Sequence, residues 1–223
     1  MKAIKFLVAL LLLPALHPLF AGIWKSVRGL DERMLFMENP LNLCFGGLVL
    51  WMMFALLFRL PPRIYVFAHE LTHALFVRLC GGRVDRISIR KDRGYVLSDR
   101  TNFLIVLAPY LFPFYACCLG AVALVVAFFV PISSFRIPVW MGIGFCLGYH
   151  WTMTARMLVT RQNDFASQGW FFSFVLVLLV NLFYLLLMFL LLPQPRGFFG
   201  HLLAIGASIM DSYRALFDFL CRF

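Results

Sequence analysis

The amino-acid sequence predicts an all-α multi-pass membrane protein of about six transmembrane helices at ~20 residues each, with a small membrane-surface β-hairpin and an amphipathic C-terminal helix. Composition is the first observation behind this prediction. Hydrophobic residues make up 63% of the 223 residues and charged residues 13%, whereas soluble domains have about 45–50% and about 25%. The second observation is that the apolar residues occur in long runs separated by short polar segments. A water-soluble fold of this length would leave much of that apolar surface facing solvent, so lipid is its expected surroundings.

The net charge of +10 points to the bilayer rather than to nucleic acid. Basic residues lie between apolar runs, where anionic headgroups and the positive-inside rule account for them. The sequence shows no basic face with aromatic stacking positions, so no nucleic-acid partner is expected. The six cysteines form no CxxC pair and lie mostly in apolar runs, which is typical of small apolar packing residues.

The N-terminal region, residues 1–40, is predicted to contain a first span and a polar loop. Residues 4–23 are mostly apolar, with Lys2 before this run and Lys5 at its start. This pattern fits either a cleaved signal peptide or a signal anchor, and we favour a retained span. Residues 41–192 are predicted to form the membrane core, and residues 193–223 an amphipathic interfacial tail.

The core is predicted to hold five further spans and one hairpin. The second span covers residues 41–58, and the third, roughly 63–80, ends at Gly81-Gly82, because glycine often follows a helix C-terminus. The polar stretch 83–102 alternates apolar and charged residues around Gly94, which predicts a β-hairpin at the membrane surface. The remaining spans are expected at about 103–130, interrupted by Pro109 and Pro113, at 137–158 and at 170–192.

The third span carries the sequence pattern HExxH at His69, Glu70 and His73. Residues four apart share one face of a helix, so both imidazoles can reach a single zinc ion at about 2.0–2.1 Å. Glu70 then lies beside the first ligand, placed to take a proton from the attacking water. Ionisable residues within a membrane span are costly, which favours a functional role over hydrogen bonding between helices.

A catalytic zinc usually takes three protein ligands, so a third is expected downstream. Glu70 is the last glutamate in the chain, which excludes a downstream glutamate ligand. The other downstream aspartates lie in the charged hairpin or in the tail, whereas Asp164 lies alone between two apolar spans. Asp164 is therefore the favoured third ligand, and it could also cap the sixth span.

Two further polar residues remain candidates for the site. His150 lies within the fifth span and is either an alternative zinc ligand, a group that supports the site from outside, or a histidine hydrogen-bonded to a neighbouring helix. Asn163 precedes Asp164 and could donate to a substrate carbonyl in an oxyanion-stabilising role.

With these residues the chain resembles the site-2 protease family of intramembrane zinc proteases, peptidase family M50. The resemblance covers roughly residues 60–192 and extends beyond the HExxH helix. It includes the hairpin after that helix and several short segments, which are Thr101-Asn102-Phe103, Ala108-Pro109-Tyr110, Tyr149-His150-Trp151-Thr152, Gln162-Asn163-Asp164-Phe165 and Gly169-Trp170-Phe171-Phe172-Ser173. Two departures are Thr72, where the family often has glycine, and Asn163-Asp164-Phe165 in place of Leu-Asp-Gly.

The resemblance implies a membrane-embedded zinc metalloendopeptidase that cleaves membrane-spanning substrate proteins. It implies zinc binding by His69, His73 and Asp164, with Glu70 as general base. Its likeness to compact bacterial sequences implies location in a bacterial cell inner membrane.

Two other functions fit parts of the sequence. One is a catalytically inactive zinc-binding membrane module that acts as an interaction or regulatory protein. The intact Glu70 argues against it, because binding alone does not need the base. The other is a transporter or channel with a metal site, which would predict polar residues along several helices and an internal repeat.

Overall fold

The computed structural model describes residues 2–28, 39–58, 62–91, 93–160, 162–191 and 198–221. The polar loop that was predicted to follow the first span, within residues 24–40, lies mostly outside the described part of the chain. The described chain is mostly helical, with one two-stranded sheet. Its helices are α1 (Lys2–Leu12), α2 (Leu16–Arg28), α3 (Pro40–Leu57), α4 (Pro62–Leu79), α5 (Phe103–Leu111), α6 (Phe114–Ala127), α7 (Arg136–Val159), α8 (Asn163–Gln168), α9 (Trp170–Leu191) and α10 (Phe198–Leu220).

Three of the helical segments described are long and apolar enough to cross a membrane: Lys2–Arg28, Pro40–Leu57 and Trp170–Leu190. Helices α5 and α6 make a fourth if they count as one span, although they meet at a bend of 73°. This supports a membrane protein, but the six predicted spans are not all found. Helix α4 contains three charged residues, and the middle of α7 is rich in glycine, threonine and other weakly apolar residues. Neither helix is among the described segments that are apolar enough to cross a membrane.

The chain divides into two compact units, of which the first comprises Met1–Asn42 and Gly169–Phe223. Here α2 packs on α9, and α10 packs on α2. Leu19, Leu186 and Leu190 form the buried centre of this unit. A short 3₁₀ segment at Leu13–Ala15 contains Pro14 and separates α1 from α2. The predicted C-terminal tail thus contains helix α10, which packs on α2 within this unit. Its place at the membrane interface stays a prediction.

The second unit, Leu43–Gln168, contains all the predicted site residues. Helix α4 packs against α5, α6 and both strands, while α6 packs on α7 and α5 on α8. Helices α3 and α7 approach so closely that a Cβ at Gly47 would overlap the carbonyl of Met141, and one at Gly144 would overlap that of Cys44. Only glycine permits this approach of two backbones.

The hairpin after α4 is confirmed. Strands β1 (Val84–Ile89) and β2 (Gly94–Ser98) pair antiparallel, with Ile87 opposite Val96 and Ile89 opposite Gly94. Helix α4 ends as predicted, because Gly81 adopts a φ of 73°. The amide of Gly82 then donates to Val77 O at 2.8 Å and that of Gly81 to Arg78 O at 2.9 Å. This is the Schellman arrangement, and it turns the chain back so that the hairpin lies beside α4.

Candidate metal centre

Helix α4 brings the two histidines together, as the four-residue spacing predicts. The Nε2 atoms of His69 and His73 lie 3.1 Å apart. Both side chains are only partly exposed, and the rings meet edge to face. Their nitrogens therefore converge on one point beside α4.

The tautomer of His73 is fixed by the backbone of α5. Its Nδ1 lies 2.8 Å from the carbonyl oxygen of Ile105. Because a carbonyl only accepts hydrogen bonds, Nδ1 must carry the hydrogen, which leaves a lone pair on Nε2. Asn102 holds this first turn of α5 in place, because its side chain accepts from the Ile105 amide at 2.8 Å.

Asp164 completes the group from a different part of the chain. Its Oδ2 lies 3.4 Å from His69 Nε2 and 3.9 Å from His73 Nε2. The residue belongs to the first turn of the short helix α8, so it does not cap the sixth predicted span. Burial raises the pKa of this carboxyl, but hydrogen bonds with His69 and Tyr110 outweigh burial and hold the pKa below its ordinary value.

The three side chains fit a metal ion by both distance and donor type. Each offers one ligand atom, and the three atoms lie within 4.8 Å of one another. Two ligands of a tetrahedral zinc at about 2.0–2.1 Å are separated by about 3.3 Å, close to the distances found here. Two imidazole nitrogens and one carboxylate oxygen suit zinc and several other divalent metals.

Glu70 is 6% exposed and lies between α4 and the hairpin. A Cβ placed on Gly94 would be 2.7 Å from Glu70 Oε1, so the β2 backbone lies directly against this carboxylate. The residue also lines a cavity of about 1030 Å³ together with His69, His73, Asp164 and strand β2. Glu70 thus faces the same space as the three candidate ligands.

The other two candidates lie near the group but outside it. His150 is buried in α7 and lines a separate cavity of about 30 Å³, which it shares with His69 and Tyr65. Among the described residues it does not join the set of atoms that can hold one metal. Asn163 is exposed and lines the large cavity beside Asp164.

Three residues at the site were missed by the sequence analysis. Tyr65 approaches His69 Nδ1 at 3.1 Å, and Tyr110 donates to Asp164 Oδ2 at 2.7 Å. Tyr65 precedes His69 by four residues, so helical spacing could have found it. Tyr110 and Gly94 are brought in by tertiary packing, and no local pattern indicates their roles.

Comparison of the chain with protein-family models, curated proteins and solved structures finds no match.

Proposed function

We propose that the protein is a membrane-embedded zinc metallopeptidase that hydrolyses peptide bonds of membrane-spanning substrate proteins, in the manner of a site-2 protease. One observation carries the proposal. The three ligand atoms of His69, His73 and Asp164 converge at the wall of a large cavity, and Glu70 lies one residue from the first ligand on the same wall.

The donor set and its spacing support zinc as the metal held by these three side chains. Zinc, when bound, acts as a Lewis acid that polarises a carbonyl and lowers the pKa of water at its open position to about 7. Three protein ligands leave that fourth position free, which is the arrangement of catalytic rather than structural sites.

Glu70 is the general base of the proposed reaction. Its carboxylate takes a proton from the attacking water and returns it to the leaving amine, so the carboxylate ends as it began. Burial against the hairpin backbone holds the side chain in one place, which favours proton transfer at a fixed distance. Asn163 lines the cavity beside Asp164 and can donate to the substrate carbonyl.

The cavity supports a peptide substrate rather than a single small ion. Its volume of about 1030 Å³ far exceeds what a metal ion and its water need. Strand β2 forms one wall, and its backbone can direct an extended segment past the metal ligands. A transmembrane helix must unwind to enter, because helical amides are shielded by their own hydrogen bonds.

Zinc content per chain in detergent-purified protein tests the proposal, together with cleavage of membrane-spanning model peptides followed by mass spectrometry. Wild type is expected to hold one zinc and to cleave, and His69→Ala is expected to lose both. His17→Ala is the matched control, because His17 is exposed on α2 in the other unit. Wild type without zinc would overturn the proposal, and zinc without cleavage of any peptide would favour the inactive binding module.

A further inference from the structure

Two tyrosine side chains contact two of the three candidate metal ligands. Tyr65 Oη is 3.1 Å from His69 Nδ1, and Tyr110 Oη is 2.7 Å from Asp164 Oδ2. The two side chains also lie near enough to influence each other, so a hydrogen bond between the two hydroxyls would join these contacts. With that bond, a line of hydrogen bonds connects His69 to Asp164 through groups that the proposed reaction does not use.

The direction of this line follows from counting hydrogens. If His69 binds a metal through Nε2, its hydrogen is on Nδ1, so Nδ1 donates and the Tyr65 oxygen accepts. The Tyr65 hydroxyl hydrogen is then available for the Tyr110 oxygen. Tyr110 has one hydrogen and two neighbouring acceptors, Asp164 Oδ2 and Gln162 Oε1 at 2.8 Å. The charged carboxylate is the stronger acceptor, which directs the hydrogen to Asp164.

Gln162 fits this direction once its side-chain amide is turned. The oxygen and nitrogen of a glutamine amide are assigned from the hydrogen bonds around them. With nitrogen towards Tyr110, the amide donates to a hydroxyl oxygen that has two lone pairs, one of them already used by Tyr65. Every hydrogen of the line then has one acceptor.

We propose that Tyr65 and Tyr110 are positioning residues that form a one-way hydrogen-bond relay, from His69 Nδ1–H through Tyr65 and Tyr110 to Asp164. This inference rests on the metal site of the proposed function. The relay sets the His69 tautomer that leaves Nε2 free for the metal. It also ties a ligand on α4 to a ligand on α8, two elements separated by most of the second unit's sequence.

The three candidate ligands differ in which hydrogen bonds hold their side chains in place. His73 already has a fixed acceptor in the Ile105 carbonyl. His69 and Asp164 have no backbone anchor of this kind among the hydrogen bonds found in the described residues, and the tyrosines supply it. Tyr110 is 1% exposed, so its hydroxyl is held where water cannot replace it.

The Tyr65 hydroxyl has two possible orientations, and metal binding selects one of them. Without metal, Tyr65 can donate to His69 Nδ1 while His69 Nε2–H donates to Asp164. With metal, Nδ1 becomes the donor and the Tyr65 hydroxyl turns from His69 towards Tyr110, while Tyr110 donates to Asp164 in both states. The nitrogen of His69 that carries the hydrogen therefore changes on binding, and this change is visible to ¹⁵N NMR.

The first experiment compares zinc affinity, by chelator competition, in wild type, Tyr65→Phe, Tyr110→Phe and the double variant. Loss of a group that orients a ligand typically weakens metal binding by roughly 10–100-fold, and we expect that range for each single variant. Because either change interrupts the same line, the double variant is expected to bind about as weakly as the weaker single variant. Tyr115→Phe is the control, since its hydroxyl donates to Ile64 O at 2.7 Å and has no hydrogen bond to His69 or Asp164 among those found in the described residues.

The second experiment records the imidazole ¹⁵N signals of His69 with and without zinc. In wild type, zinc is expected to convert Nδ1 to the protonated form with one narrow signal, and in Tyr65→Phe the zinc-bound Nδ1–H is expected to exchange faster with water. Circular dichroism would show whether the Tyr65→Phe variant unfolds. If it does, the zinc affinity of Tyr110→Phe tests the relay instead.

The outcomes separate this inference from the proposed function. Wild type that binds no zinc overturns both. Wild type that binds zinc, with both single variants at wild-type affinity, overturns the relay alone. Weakening that adds fully in the double variant also overturns the relay, because it means that the two hydroxyls act independently.

Discussion

Gly94, the first residue of β2, lies against the side chain of Glu70. A Cβ at position 94 would be 2.5 Å from Glu70 Cγ and 2.7 Å from Oε1. Real Cβ atoms do not come this close, so the hairpin can cover Glu70 only because residue 94 has no side chain. The hairpin is thereby in direct contact with the proposed base.

Gly94→Ala is expected to displace either the hairpin or the Glu70 carboxylate while leaving the three ligands in place. Displacement by about 1 Å can cost about 100-fold in rate, so cleavage should fall by at least about tenfold with zinc content unchanged. Measurement of both quantities on the same preparation checks this. Gly120→Ala is the matched control, because a Cβ there meets nothing within 4 Å. Full activity in Gly94→Ala would mean that the contact does not hold Glu70.

Glu70→Gln tests the base directly. The substitution preserves the shape that packs against Gly94 and removes the ability to take a proton. General-base catalysis contributes about 10²–10⁴-fold, so cleavage should fall by that factor with one zinc still bound. Asp218→Asn, which makes the same kind of change at an exposed position of α10, should leave the rate unaltered. Activity at the wild-type level would assign the base to another residue.

Asp164→Ala and His150→Ala decide between the two candidates for the third ligand. Asp164 Oδ2 lies within 4 Å of both histidine nitrogens, whereas His150 lines a separate cavity. We expect Asp164→Ala to lose most of its zinc and His150→Ala to keep it. Dialysis against a graded series of chelator concentrations, followed by zinc analysis, measures the difference. The reverse result would move the third ligand to α7.

The sequence was sufficient for features that depend on local pattern. Four-residue spacing predicted that His69 and His73 would share a face, and Gly81 and Gly82 marked the end of α4. Alternation around Gly94 predicted the hairpin, and the structure confirms it. These predictions needed only helix geometry, glycine conformation and strand alternation.

The features that the sequence did not predict depend on tertiary packing. Tyr110 reaches Asp164 because α5 packs on α8, and no periodicity in either segment indicates that pair. Helices α4 and α7 were predicted as spans from their overall hydrophobicity. The three charged residues of α4 and the glycine- and threonine-rich middle of α7 leave both helices outside the described segments that are apolar enough to cross a membrane.

The hairpin is expected to loosen at low pH because of Asp99. Its Oδ1 accepts from the Arg83 amide at 2.6 Å, and this backbone hydrogen bond lowers the pKa of Asp99 from the ordinary value of 3.8. A lowered pKa means that the stabilisation is complete above about 3.8 and is lost as pH falls through the folded-state pKa.

Hydrogen exchange at the Arg83 amide, corrected for the intrinsic rate at each pH, measures this loss. Protection should decrease below pH of about 3.8 in wild type. Asp99→Asn should remove the pH dependence, and Asp211→Asn, at an exposed position of α10, should retain it. Protection that is independent of pH in wild type would show that the carboxylate does not hold the hairpin.

The contact between α3 and α7 predicts a strong effect of a single methyl group. Gly144 faces the carbonyl of Cys44, and Gly47 faces the carbonyl of Met141, so the two helices meet backbone to backbone. The Cys44 thiol also donates to Trp140 O at 3.3 Å across the same contact. Gly144→Ala must push the helices apart, and overpacking of this kind typically costs about 1–3 kcal/mol of the free energy of unfolding.

Unfolding by SDS in mixed micelles measures that free energy for Gly144→Ala, Gly47→Ala and the double variant. Once one methyl group has separated the helices, the second meets less resistance, so the double variant should lose less than the sum of the two. Gly120→Ala, in the open position on α6, should be neutral or slightly stabilising, because alanine favours the helix by up to about 1 kcal/mol. Wild-type stability in Gly144→Ala would mean that the two backbones do not meet at this position. Equal losses of unfolding free energy in Gly120→Ala and Gly144→Ala would mean that the micelle, and not the contact between the helices, causes the change.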